Sequence, residues 1–185
     1  RQVKGYKLNV EFATTKKETS VAVALLYEDD NYAKVTLTSG EGENLKTLVT
    51  TIDYSGYIVF FFENGKATKV PVKSYETKTN RKKLAKAYSD KSPLIAALFV
   101  GEDCDVLLRS TSGHALVFNT GMIMPKSTRD SQGVQVMTLR KKALLASAAI
   151  INEENKEEFE KYRSKSIPSS GKPAKELGDT NQLTL

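Results

Sequence analysis

Between Asn64 and Lys91 the chain carries nine cations, Lys66, Lys69, Lys73, Lys78, Arg81, Lys82, Lys83, Lys86 and Lys91, against two acids, Glu76 and Asp90, an excess of seven. Long cationic side chains crowded on one loop are suited to neutralising a polyanion. A phosphate backbone holds condensed counterions, and displacing them yields affinity without base-specific geometry, so reach matters more than precision. Lys78, Arg81, Lys82, Lys83 and Lys86 form a first candidate set; Lys126, Arg129, Arg140, Lys141 and Lys142 form a second. A merely solvated turn is the plain alternative for the loop. Tyr75 and Tyr88 can stack on such a ligand or bond to it, but the preferred reading buries them beneath the loop.

Other chemistry has little to work with. His114 and Cys104 are the single histidine and the single cysteine. A metal site or an activated nucleophile needs partners that converge on it, so His114 reads as an ordinary strand histidine and Cys104 as a small buried residue. Glu28-Asp29-Asp30 and Glu102-Asp103-Asp105 are acidic clusters without calcium-loop spacing, better explained as turns beside strands. There is no Walker loop, no paired dinucleotide glycines and no nucleophile elbow, so neither a cofactor nor a catalytic residue is expected.

The chain has 185 residues, 39% of them hydrophobic and 27% charged, which fits a globular protein of one domain or a few small units. Its net charge is +6. Residues 152–185 hold seven acids and six bases, or −1, so residues 1–151 carry the remaining +7. One cysteine rules out an intramolecular disulfide and fits a reducing compartment. No apolar run approaches membrane-spanning length. The first residue is Arg rather than Met, so the chain reads as a piece of a longer protein.

The elements that must position these side chains are strands. Tyr57-Ile58-Val59-Phe60-Phe61-Phe62 is too apolar to face water. Asn64-Gly65 then turns the chain into Ala67-Thr68-Lys69-Val70-Pro71-Val72, and Asn-Gly between two such runs predicts a hairpin with positive φ at both central residues. Further β-like runs fall at 6–12, 21–27, 32–38, 45–52, 93–100, 104–110 and 114–119, the last two as a hairpin around Ser112-Gly113. A helix is expected at 155–164, with Asn155 and Glu158 at capping-box spacing. Ile167-Pro-Ser-Ser-Gly-Lys-Pro reads as a flexible end.

A shift of 48 residues lays Gly65 on Gly113, Ala67 on Ala115, Lys78 on Lys126 and Arg81 on Arg129, so turn glycine and loop arginine coincide in one register. The reading is three units, roughly 6–55, 56–103 and 104–151, the first degenerate, followed by the tail 152–185. Units of this length built from short strands are the size of propeller blades, and the fold class is all-β.

Each unit has an apolar strand, a glycine turn, a strand, and a basic loop with Arg. In this the chain resembles the C-terminal blades of the A subunit of bacterial type IIA topoisomerases, gyrase and topoisomerase IV. The matching positions are Glu63-Asn64-Gly65-Lys66 with Asn80-Arg81-Lys82, and Thr111-Ser112-Gly113-His114 with Thr128-Arg129. Gly133 fits the closing glycine of the second loop, where the first has Ala85. The resemblance covers 56–150 well and 6–55 poorly; the tail lies outside it. It implies a β-pinwheel whose blades exchange strands, and a non-catalytic accessory domain that binds and bends duplex DNA, sequence-tolerantly, around a basic rim. The implied partners are the remainder of the A subunit and the ATPase B subunit, and the implied location is the cytoplasm, on the nucleoid. The Gln-Arg-Arg-Gly-Gly-Lys-Gly box of gyrase A subunits is absent, which favours a topoisomerase IV-like or divergent relative, or places the first blades upstream of Arg1. The alternative function is a propeller-type interaction module that offers its basic edge to an acidic protein partner.

Overall fold

The computed structural model describes residues 54–76 and 84–177, together with the backbone of strands at 21–26, 33–39 and 44–51. The runs expected at 6–12 and in the first turns, and the acidic cluster at 28–30, lie outside the described residues.

The strand Tyr57–Phe62 shows why a continuous apolar run is needed. Ile58, Phe60 and Phe62 point into one core cluster, and Val59 and Phe61 into another. Side chains alternate across a strand, so a strand covered on both faces must be apolar at every position. The next unit repeats this: Val106 and Leu108 share the cluster of Val59, and Leu107 faces a third.

In chain order the strands are β1 (Val21–Leu26), β2 (Ala33–Ser39), β3 (Asn44–Thr51), β4 (Tyr57–Phe62), β5 (Lys66–Pro71), β6 (Leu84–Ala85), β7 (Leu94–Val100), β8 (Asp105–Ser110), β9 (His114–Asn119), β10 (Val134–Gln135), β11 (Leu145–Ile150) and β12 (Lys172–Pro173). They form three four-stranded sheets, ordered β3-β2-β1-β6, β10-β5-β4-β7 and β11-β8-β9-β12. The first sheet holds three consecutive strands; the second and third each hold a hairpin, β4-β5 or β8-β9, and the strand β7 or β11 that returns after the intervening β6 or β10. In each the fourth strand crosses over from the following segment. The two-residue strands β6, β10 and β12 are these crossing straps. Every pairing between these strands is antiparallel. The third strands β3, β7 and β11 approach one another in succession, so the sheets stack face to face like blades. The all-β, blade-like architecture is as the sequence implied, with the strand exchange made explicit.

The hairpin at Asn64-Gly65 differs from the expected turn, and the one at Ser112-Gly113 has the same form. Only Gly65 and Gly113 have positive φ, 78° and 75°, and their amides donate to Phe62 and Ser110 carbonyls at 2.9 and 3.1 Å. That is a type I turn followed by a left-handed glycine, the three-residue connection, rather than a two-residue turn with both central residues left-handed. The 48-residue register places β4 on β8 and β5 on β9 without slip. It is lost at the straps, since β6 and β10 are 50 apart.

The tail differs most from its sequence reading. A helix does begin after Asn155, but α1 covers only Lys156–Phe159, the Asn155 side chain makes no capping bond, and a 3-10 turn, Glu160–Tyr162, follows. The stretch expected to be flexible is the strap of the third sheet. Lys172 and Pro173 pair with Ala115 and His114, as Val134 and Gln135 pair with Ala67 and Lys66. Ser164 N donates to Val117 O just as Lys126 N donates to Lys69 O, and Ala174 N to Gly113 O as Val136 N to Gly65 O. Residues 164–174 therefore repeat 126–136, and α1 with its 3-10 turn stands where a further hairpin would. Phe159, Tyr162, Ala174 and Leu177 cover the outer face of the third sheet, over Leu107, Ala115 and Val117. An array of stacked units needs such a cover wherever a face has no neighbour.

Candidate nucleic-acid interface

The straps decide where the basic loops go. The strap of the third unit leaves the 3-10 turn Thr120–Met122, crosses to the second sheet and bonds Lys126 N to Lys69 O at 2.8 Å. It reaches β5 as β10, and Val136 N and Met137 N both donate to Gly65 O. Gly133 makes this approach possible: a Cβ there would lie 2.0 Å from the Ala67 carbonyl oxygen, and its φ is 75°. Gly171 stands in the same relation to Ala115, at 2.4 Å. Glycine is required where one backbone crosses another this closely.

The crossing brings the second and third loops together. Arg129 donates through Nη1 to Ser74 O at 3.0 Å and through Nη2 to Ala85 O at 3.3 Å. Its guanidinium lies 5.9 Å from the centre of the Tyr75 ring. Lys86 stands 4.0 Å from Asp130, both exposed. Residues 85–86 and 129–130, from successive loops, thus share one edge of the molecule. Tyr75 is fully buried, its hydroxyl donating to Ala87 O at 2.6 Å, and burial pushes that hydroxyl's pKa well up. Tyr88 stacks on Phe60 at 5.5 Å and is also buried. Both tyrosines support the loop from below and are closed to a ligand.

Of the predicted cations, Lys86, Lys126, Arg140, Lys141 and Lys142 are exposed. Arg129 is half-buried and engaged by two carbonyls. Lys78, Arg81, Lys82 and Lys83 lie outside the described residues; they lead directly into β6, whose Ala85 meets Arg129. The second set is not one patch. Lys126 and Arg129 lie against the end of β5 that leads into the 3-10 turn Val72–Tyr75. Arg140, Lys141 and Lys142 lie beside the hairpin turns, where Thr111 and Leu144 exchange bonds and Leu145 N donates to Glu63 O. The six residues of β5 between the two groups span about 20 Å at ~3.3 Å each.

Two lysines of the basic stretch are removed from the ligand's reach. Lys69 is buried, bonded to Asp103 Oδ1 and directed at Thr120 O, with its ammonium 4.7 Å from the centre of the Tyr57 ring. The Asp103 carboxyl is held below its ordinary range by this ammonium first, and also by the Thr120 hydroxyl. Through Thr120, which both side chains reach, this pair ties the second unit to the third. Lys73 pairs with Glu76 at 2.6 Å. The sequence count of seven uncompensated charges therefore overstates the free charge, because Asp103 lies outside the stretch that was counted.

Two of the tail's cations are closely paired as well. Arg163 grips Asp105 through both Nη atoms at 3.1 and 2.6 Å and Glu160 through Nε at 2.6 Å. Lys161 and the Tyr162 hydroxyl both donate to Glu176 Oε1, and Lys161 foremost draws the Glu176 carboxyl down to about 2. Asp103 and Asp105 are thus engaged in protein contacts, and the described residues contain no group of three or more metal-ligating side chains. Cys104 is half-buried, with burial pushing its thiol up, and His114 Nδ1 lies 3.3 Å from the Ser112 hydroxyl. Among the described residues no helix is long and apolar enough to cross a membrane.

No family model and no curated protein matches the chain. Its structure is similar to the C-terminal domain of DNA topoisomerase IV, with a TM-score of 0.56 and 16% identity over 76% of this chain and 49% of that one. The C-terminal domain of DNA gyrase A (TM-score 0.47, 17% identity, 82% and 56% coverage) and that of E. coli ParC (0.49, 14%, 74% and 58%) resemble it more loosely. The chain spans about half the length of the topoisomerase IV domain. The shared feature is the fold: a β-pinwheel of strand-exchanged sheets.

Proposed function

We propose that this chain is a non-catalytic accessory domain that binds and bends duplex DNA, as part of a type IIA topoisomerase A subunit or a divergent relative. The observation that carries the reading is the meeting of Lys86 and Ala85 with Arg129 and Asp130: strand exchange sets successive basic loops on a common edge. Lys86 and Lys126 face phosphate there; Lys78, Arg81, Lys82 and Lys83, which precede β6 in the chain, are further candidate contacts. Arg140, Lys141 and Lys142 meet the duplex at the other end of the strands, across the width of the sheet. Contacts of this kind neutralise backbone charge and read no bases, so binding is sequence-tolerant and weakens steeply with salt. The cleaving tyrosine and the ATPase belong to other parts of the assembly, in the bacterial cytoplasm on the nucleoid.

A gel shift with a linear duplex of about a hundred base pairs tests this. The wild-type chain retards it, and the triple reversal Arg81→Glu, Lys82→Glu, Lys83→Glu weakens binding alike on unrelated sequences. No shift at moderate salt would leave the β-pinwheel as an interaction module for an acidic protein.

A further inference from the structure

Arg129 sits where the second and third straps meet, and its surroundings are those of a joint. One amino group of its guanidinium holds the carbonyl of Ser74, at the end of the second hairpin. The other holds the carbonyl of Ala85, in the strap that completes the first sheet. The plane rests above Tyr75, which is itself tied to Ala87, and Arg129 Nε is buried without a hydrogen-bond partner. From the third strap, one side chain therefore holds two other stretches of chain, 74–75 beside the second sheet and 85 in the first. Elsewhere the corresponding junction is made by backbone: Thr138 N donates to Ser169 O and Ser169 N to Val136 O, tying the tail strap to the third strap. A fork that bonds two carbonyls at fixed spacing is a property of guanidinium and not of ammonium.

We propose that Arg129 is a positioning residue, the clasp that fixes the second basic loop against the third, and is not itself a phosphate ligand. Binding along two loops depends on their being held at a spacing the polyanion can span, since the second contact is then effectively intramolecular. Loss of the clasp lowers affinity by loosening that spacing while every phosphate-facing cation remains. This rests on the DNA-binding reading for its functional consequence, and on the hydrogen bonds alone for its structural one.

The test compares Arg129→Lys, Arg129→Ala and Lys126→Ala with the wild-type chain on the hundred-base-pair duplex across a salt series. Both Arg129 variants are expected to bind about tenfold more weakly with the salt slope unchanged. Lys126→Ala is expected to reduce the slope by about 0.9, as loss of one phosphate contact does. Wild-type affinity in Arg129→Lys, together with a slope reduced by about 0.9 in Arg129→Ala, would make Arg129 a phosphate ligand and overturn the proposal. Amide hydrogen exchange without DNA separates the two readings. Residues 84–88 and 126–131 should exchange faster in both Arg129 variants and not in Lys126→Ala. Unchanged exchange refutes the clasp, whereas failure of the wild-type chain to bind duplex refutes only the DNA reading.

Discussion

Replacing Gly133 by Ala isolates the energetic cost of strand exchange. A Cβ at Gly133 would lie 2.0 Å from Ala67 O, 2.5 Å from Ala67 C and 2.8 Å from Thr68 N, all backbone atoms of a central hairpin. The left-handed backbone alone costs Ala about 1–2 kcal/mol. Crowding against atoms that cannot rotate away adds about 1–3. The alternative is for the strap to lift, which exposes Val136 and Met137, both buried, at about 2–3 kcal/mol each, and breaks the bonds to Gly65 O besides. Straining is cheaper than lifting, so Gly133→Ala should remain folded but lose about 2–5 kcal/mol. Gly113→Ala is the control. Its φ of 75° matches, yet no atom lies within 4 Å of the added carbon, so it pays the conformational part alone. The gain from a stiffer unfolded chain is common to both and cancels in the difference. Thermal melts should place Gly133→Ala about 10 °C below wild type and Gly113→Ala about 5 °C below. Equal melting of the two variants would show that the strap does not lie against Ala67 as described.

Ending the chain at Asn152 uncovers Leu107, Ala115 and Val117 and leaves β9 an unpaired edge, so light scattering should show self-association that the full chain lacks. Asp103→Ala strands the buried Lys69 ammonium, and should melt lower than the double variant Lys69→Met, Asp103→Ala, which removes both charges. Asp103 and Asp105 both have carboxyls held below the ordinary range, by Lys69 and Arg163 respectively. Their contribution is therefore complete above the unfolded value of about 4 and disappears as pH falls through the lower folded values. Melting temperature should hold from neutral pH to about 5 and then drop, with a shallower drop in Asp105→Asn.

What could be read from the sequence was what each hairpin carries within itself. The apolar run 57–62, the glycine turns and the 48-residue register all arise from neighbours in the chain, and each appears in the structure. The straps left no such trace. β6, β10 and β12 are two residues long, too short for any periodicity, and are held by backbone bonds to a different unit. The sequence mark of β10 and β12 is a serine two residues before a glycine: Ser131 Oγ accepts from Gly133 N, and Ser169 Oγ from Gly171 N. A shift of 38 would have aligned them, but a tail rich in Ser, Pro and Gly has the composition of a linker. Lys69 was misjudged for a related reason. Its partner is 34 residues away in the chain, so it reads as one more solvated cation. Arg129 was found by type and register, while its carbonyl partners, at 55 and 44 residues' separation, could not be.

Charge pairing changes along the array in a way that bears on the path of a bound polyanion. At the second and third straps the exposed lysines, Lys86, Lys126, Lys141 and Lys142, are set amid few acids among the described residues, and the ion pair of Lys86 with Asp130 is long and exposed enough to give way. At the tail the same strap geometry recurs, but two of its cations are matched: Arg163 is closed by Asp105 and Glu160, and Lys161 by Glu176. Counterion release requires cations whose partner is solvent, so Arg163 and Lys161 contribute little there. A duplex following the edge would thus be drawn in along the second and third loops and released at the cap, where the acids 153, 154, 157 and 158 meet it with like charge. Reversing Glu157 and Glu158 to Lys should extend the protected stretch of a bound duplex in nuclease footprinting without altering the fold, since both side chains are exposed. An unchanged footprint would show that the duplex leaves the edge before it reaches the third sheet.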